Sequence, residues 1–128
     1  MHALRNIHAA LAPGGIVVDT QPVSARPPVE SDAGQLGTLD MTEWAQLIAE
    51  IDARVDEAIA AGLFVIDAES ELTVTDRYDG GEDFLSHVQN WIGTRIERDL
   101  ARRARRERGP VRVHQEIRMR LLSARAGR

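Results

Sequence analysis

The groups able to do chemistry are few in kind. The imidazoles are His2, His8, His87 and His114, and none stands at metal-ligand spacing from another histidine or a convincing carboxylate. Cysteine is absent, which excludes thiolate nucleophiles, disulfide staples and cysteine-ligated zinc. No serine sits in a Gly-x-Ser-x-Gly elbow. Asp56 and Glu57 are neighbours on a predicted helix, and adjacent helical positions do not converge on one substrate. Arg102, Arg103, Arg105, Arg106 and Arg108 form a cluster that could hold phosphates. Glu97, Asp99 and Glu107 lie in the same segment at salt-bridge spacing, however, and no lysine or interleaved aromatic accompanies the arginines. No catalytic constellation emerges, and a nucleic-acid partner is not expected.

These groups need elements to position them. Ala3–Leu11 reads as a short amphipathic helix, Ala12-Pro13-Gly14-Gly15 as a turn, and Ile16–Pro22 as an apolar strand with a polar end. Helix, turn and buried strand together predict a crossover unit of a parallel sheet. Residues 23–39 show little apolar periodicity and read as a loop. Asp40 and Glu43 form a capping-box pattern, followed by Met41, Trp44, Leu47, Ile48, Ile51, Val55 and Ile59 in one helical stripe that ends at Gly62. Trp44 belongs to that stripe as a core anchor. Leu63–Thr75 alternates as a half-buried strand, with Phe64, Ile66, Ala68, Leu72 and Val74 on one face. Residues 82–107 read as one long helix, with Gly93 marking a kink or junction. Val111–Leu121 alternates most cleanly. Antiparallel pairing of the last two strands would bring Glu69 and Glu71 to Arg118 or Arg120.

The charge pattern fits that pairing. The net charge is −4, yet residues 1–94 carry 4 arginines against 16 acids and residues 95–128 carry 12 against 4. Two halves of opposite sign can neutralise each other within one fold or across a dimer. The length of 128 residues suits a single domain spanning residues 1–128. No apolar run approaches the roughly 20 residues of a membrane span. No basic segment followed by an apolar core opens the chain, so a cytoplasmic location without membrane contact is expected.

Leu11-Ala12-Pro13-Gly14-Gly15 followed by an apolar strand resembles the region around the fifth strand of class I S-adenosylmethionine-dependent methyltransferases. The resemblance covers essentially the whole chain but only the C-terminal half of that family. It implies an α/β fold: a small mixed β-sheet flanked by helices, the C-terminal half of a seven-stranded sheet whose last strand is antiparallel. The family binds its cofactor through a Gly-rich loop after the first strand and an acid after the second. Neither position exists here, so no cofactor is expected for this chain alone. What carries over is the end of the predicted strand, where Asp19, Thr20 and Gln21 become candidate substrate-binding residues. The expected function is that of a truncated or degenerate methyltransferase, inactive alone. The alternatives are a homodimeric interaction module, one partnered with a separate cofactor-binding chain, or a small-molecule-binding domain. A homodimer is expected because an uncovered apolar edge is an aggregation template.

Overall fold

The computed structural model describes residues 2–124. Four helices and five strands follow in the order α1 (His2–Ala10), β1 (Ile16–Pro22), β2 (Pro28–Ser31), β3 (Gly34–Thr38), α2 (Thr42–Ala60), β4 (Phe64–Tyr78), α3 (Gly81–Val88), α4 (Arg98–Arg106) and β5 (Val111–Ala124). All five strands form one sheet. The last strand is its axis. β5 pairs with β4 over its whole length on one side; on the other it pairs first with β2 and then with β1. β3 extends the sheet beyond β2.

Every pairing in this sheet is antiparallel, which corrects the mixed sheet and the hydrogen-bonded parallel crossover expected from the opening segment. β1 and β4 do run in the same direction, but β5 lies between them and takes the hydrogen bonds of both. Residues 23–39 are likewise more than a loop. Pro28–Ser31 and Gly34–Thr38 form a hairpin whose register shifts between Val29 and Glu30. Such short strands, with glycine at two positions, leave no period for a sequence pattern to catch. The predicted helix over 82–107 is two helices, with Gly93 at φ 68° in the connection between them. A Cβ there would stand 2.8 Å from the Trp44 nitrogen, so both the turn and the close approach require glycine.

β4 and β5 pair in the expected register, Glu69 opposite Arg120 and Glu71 opposite Arg118. One detail breaks the expected face. The register shifts between Ile66 and Ala68, leaving Asp67 as the extra residue on β4. One inserted residue turns every later side chain to the other face. Phe64 and Ile66 therefore lie on the face of Leu122, whereas Ala68, Leu72 and Val74 lie on that of Leu121, Ile117 and Gln115.

Burial changes parity along β5 as well. Val111 and Val113 are fully buried at one end; at the other the buried residues are Arg120 and Leu122. Side chains alternate along a strand, so two cores sit on opposite faces of the sheet. The larger packs Val111, Val113 and Val29 against Phe84, Val88, Leu100 and Ala104 of α3 and α4. The smaller packs Leu122 and Phe64 against Val55 and Ala58 of α2, with Leu4 and Leu11 beside them.

The larger core depends on close contact between α3 and α4. A Cβ on Gly81 would fall 1.5 Å from the carbonyl oxygen of Ala104, an impossible distance, whereas one on Gly80 would meet only ordinary contacts at 3.5 Å and beyond. Gly81→Ala is therefore expected to destabilise the fold by at least ~2 kcal/mol, and Gly80→Ala by much less. Thermal melts of the two variants check this, and equal melting temperatures would count against the packing.

Candidate functional site

Asp19, Thr20 and Gln21 do not converge. Asp19 and Gln21 point to the face covered by α2, and Thr20 points to the opposite, open face, as alternation along β1 requires. The Asp19 carboxylate accepts from Arg120 Nε at 3.0 Å and Nη2 at 2.7 Å. Gln21 Nε2 donates to the other carboxylate oxygen at 3.0 Å. Arg120 also reaches Asp52 Oδ1 on α2 at 3.3 Å, and Arg118 holds the same Asp52 through two guanidinium nitrogens. The side chains of Arg120 and Asp19 are only 6% and 11% exposed. Asp52 holds the Arg118 guanidinium proton more firmly than usual.

A buried charge is tolerable only when paired, and here each guanidinium has its carboxylate. Two candidate residues thus have their polar atoms committed to other side chains of the chain itself. Asp52 was not legible as the partner of Arg118 and Arg120, because on its own helix it reads as one of several solvent-facing acids.

A second polar chain crosses the same face nearer the start of β5. Arg112 donates to Glu30 at 3.2 Å and to Asp32 at 3.1 Å. His114 Nε2 lies 2.8 Å from Glu30, and its Nδ1 lies 2.8 Å from the Thr75 hydroxyl. Hydroxyl, imidazole and carboxylate stand in line, but on an open strand surface rather than in a cleft. His114 and Arg112 hold the Glu30 carboxyl below the usual carboxylate range. The other histidines are engaged singly. His8 sets its ring against the edge of Phe64 at 5.5 Å, and His87 sits 3.1 Å from Asp83 on its own helix; the His2 side chain lies outside the described residues. Among the described residues no group of three or more ligating side chains could hold a metal.

The arginine cluster lies on exposed positions of α4 and the turn after it. Arg102 is paired with Asp99 at 2.9 Å, and Arg103 donates to the Leu36 carbonyl at 3.2 Å.

Concavities lie around the start of α2. A polar cleft of about 470 Å³ is lined by Arg26, Arg95, Asp40 and Glu43; the N-cap of α2 is Met41 rather than the expected Asp40, whose carboxylate accepts from the Thr42 amide at 3.0 Å. An apolar groove of about 370 Å³ lies between Trp44, Trp91, Met41, Ile92 and Pro22, with Asn90 and Gln115 at its sides. Trp44 is thus a half-buried groove wall, and its Nε1 is buried without a hydrogen-bond partner among the described residues.

The groove leads onto an open sheet face, since Pro22 pairs with Ile117. Val18, Leu121 and Ala68 stand abreast there, as do Pro22, Ile117 and Leu72. Ile16 and Val18 are 54% and 53% exposed, and Leu72 is 40% exposed. No helix among the described residues is long and apolar enough to cross a membrane. The chain matches no protein-family model, no curated protein and no solved structure.

Removing the Asp19 charge is expected to strand Arg120 in a nearly closed site. Asp19→Ala should therefore cost about 3 kcal/mol of stability, whereas Thr20→Ala, on the exposed face, should stay within ~0.5 kcal/mol. Chemical denaturation of both variants checks the contrast; equal stabilities would mean that Asp19 is not a structural anchor.

The Glu30 carboxyl is depressed in the folded state, so its contribution is present above the unfolded value of 4.5 and lost as pH falls through the folded value. Below that unfolded value the wild type should lose melting temperature more steeply than Glu30→Gln. Melts from neutral to acidic pH test this, and parallel profiles would contradict it.

Proposed function

We propose that the chain is a non-catalytic assembly module: the C-terminal half of a methyltransferase-like sheet, completed by a second polypeptide body and without a cofactor site of its own. The observation that carries this reading is the side of the sheet left open. β1 is a terminal strand, paired with β5 and with no other strand among the described residues. Beside that edge Ile16 and Val18 keep more than half of their surface in solvent. Leaving apolar surface in water forgoes roughly 25 cal/mol for each Å² that a partner would cover.

The element order supports the methyltransferase-like part of the reading. Strand, long helix, strand and a final antiparallel strand occur in the order the resemblance implies, with the β2–β3 hairpin added after the first strand and α3 and α4 inserted before the last. The glycine pair Gly80-Gly81 between β4 and α3 supports the non-catalytic part, because Gly81 packs against the Ala104 carbonyl instead of lying open to the close approach of a cofactor. So does the engagement of Asp19 and Gln21 by neighbouring side chains, which leaves no free carboxylate at the end of β1.

Titration calorimetry of S-adenosylmethionine into the isolated chain is expected to give no binding heat. The same sample should brighten a hydrophobic dye such as anilinonaphthalene sulfonate, and Leu72→Glu should dim that signal while leaving the fold intact. Saturable cofactor binding by the isolated chain would overturn the reading.

A further inference from the structure

We propose that the body completing the sheet is a second copy of this chain, joined through antiparallel pairing of β1 with β1 about a two-fold axis. The inference rests on the reading of the chain as an assembly module and specifies its partner. The argument begins with the three strands that could offer an edge. A free edge presents unpaired N–H and C=O groups and invites another strand unless something blocks it.

Two of the three are blocked. On β3 the Leu36 carbonyl already accepts from Arg103 Nη1 of α4 at 3.2 Å. On β4 the exposed acids Asp67, Glu69 and Glu71 would oppose their own copies, and the irregularity between Ile66 and Ala68 breaks the hydrogen-bond spacing. Charge and bulges are the devices by which natural sheets refuse edge pairing.

β1 carries neither device, and Pro22, which has no N–H to offer, lies at its end beyond Ile16–Thr20. Its seven residues pair with β5 without a register shift. Its one ionisable side chain, Asp19, is neutralised by Arg120 on the covered face. On the open face it shows Ile16, Val18 and Thr20, residue types that favour strands. A register centred on Val18 sets Val18 against Val18 of the second copy and Ile16 against its Thr20, which gives β-branched cross-strand pairs. The same register puts Asp19 opposite Val17, so no like charges meet. The edge itself is neutral, so the net charge of −4 on each chain is not concentrated where the two copies meet. A two-fold contact of this kind is self-complementary and closes after two copies. The interface is a single strand edge with flanking side chains, so the dimer is expected to dissociate on dilution.

Sedimentation velocity over a wide concentration range tests the pairing. Wild type is expected to reach twice the 14.2 kDa chain mass. Val18→Arg places two guanidinium groups opposite each other at the axis and is expected to raise the dissociation constant ~100-fold or more, with circular dichroism unchanged. Leu72→Arg lies on the same open face but on β4, two strands away, and is expected to leave the dimer intact. A wild type that stays monomeric overturns the inference. So does a dimer that Leu72→Arg disrupts as strongly as Val18→Arg, because that result would mean stacked faces rather than joined edges. Cofactor binding by the isolated chain would instead strike the assembly reading itself, so the two failures are distinguishable.

Discussion

One strand carries the fold. β5 gives its backbone on one side to β4 and on the other to β2 and β1 in succession, so among the described residues β1 and β4 have no hydrogen-bonded strand neighbour but this one. The handover between β2 and β1 falls near Glu116. There the Val23 amide donates to the Glu116 carbonyl at 2.9 Å, and the Glu116 amide donates to the Ser24 hydroxyl at 2.9 Å. The segment between the two strands thereby keeps β5 satisfied where neither strand reaches. A central strand with both edges and parts of both faces in use has little freedom of register. Slipping it by one residue would turn Val111 and Val113 out of one core and Leu122 out of the other.

That constraint accounts for the uneven charge of the chain. β5 holds Arg112, Arg118 and Arg120 on one face, and the acids that meet them come from earlier elements: Glu30 and Asp32 around the hairpin, Asp19 on β1, and Asp52 on α2. The acidic and basic halves are thus joined across the sheet. For the enclosed pairs of Arg118 and Arg120, desolvation of a guanidinium and a carboxylate offsets most of their attraction. What they contribute is specificity. Arg120 is satisfied only when β1, β5 and α2 are all in place, so the network rejects any arrangement that lacks one of the three.

The main elements were legible where their period was long and clean. The α2 stripe, the alternation of β5 and the register of β5 with β4 followed from apolar spacing and from the complementary charges of Glu69, Glu71, Arg118 and Arg120. The hairpin at 28–38 was not legible, because strands of four and five residues show no period. The flip of β4 at Asp67 was hidden as well, since a bulge leaves the sequence alternation intact while reversing its meaning in space. The open face stayed hidden for a related reason. Val111, Val113, Ile117, Met119 and Leu121 form one apolar row in sequence, and only the placement of α3 and α4 over its first part leaves the remainder in solvent. At the candidate site the strand-end position of Asp19, Thr20 and Gln21 was readable, but their division between two faces came from the strand geometry. Asp52, the acid that binds Arg118 and Arg120 to the helix, carried no distinguishing signal.

The position of β5 in the chain adds a consequence for folding. The strand that everything else needs is the last one, and its contacts with β1 join residues about a hundred apart, such as Asp19 and Arg120. Long-range pairings of this kind are slow to form, because the closure entropy of the intervening chain must be overcome first. Until Val111–Ala124 is available, β1 and β4 have no strand to pair with, and only the β2–β3 hairpin and the helices can form locally. β4 is the longer of the two exposed strands, and its acids at 67, 69 and 71 keep it apart from copies of itself during that interval. β1 has Asp19 alone, and its charge is matched by Arg120 only once β5 is in place. The edge is thus guarded by one acid while the chain folds and becomes neutral in the folded chain, where it can join a partner.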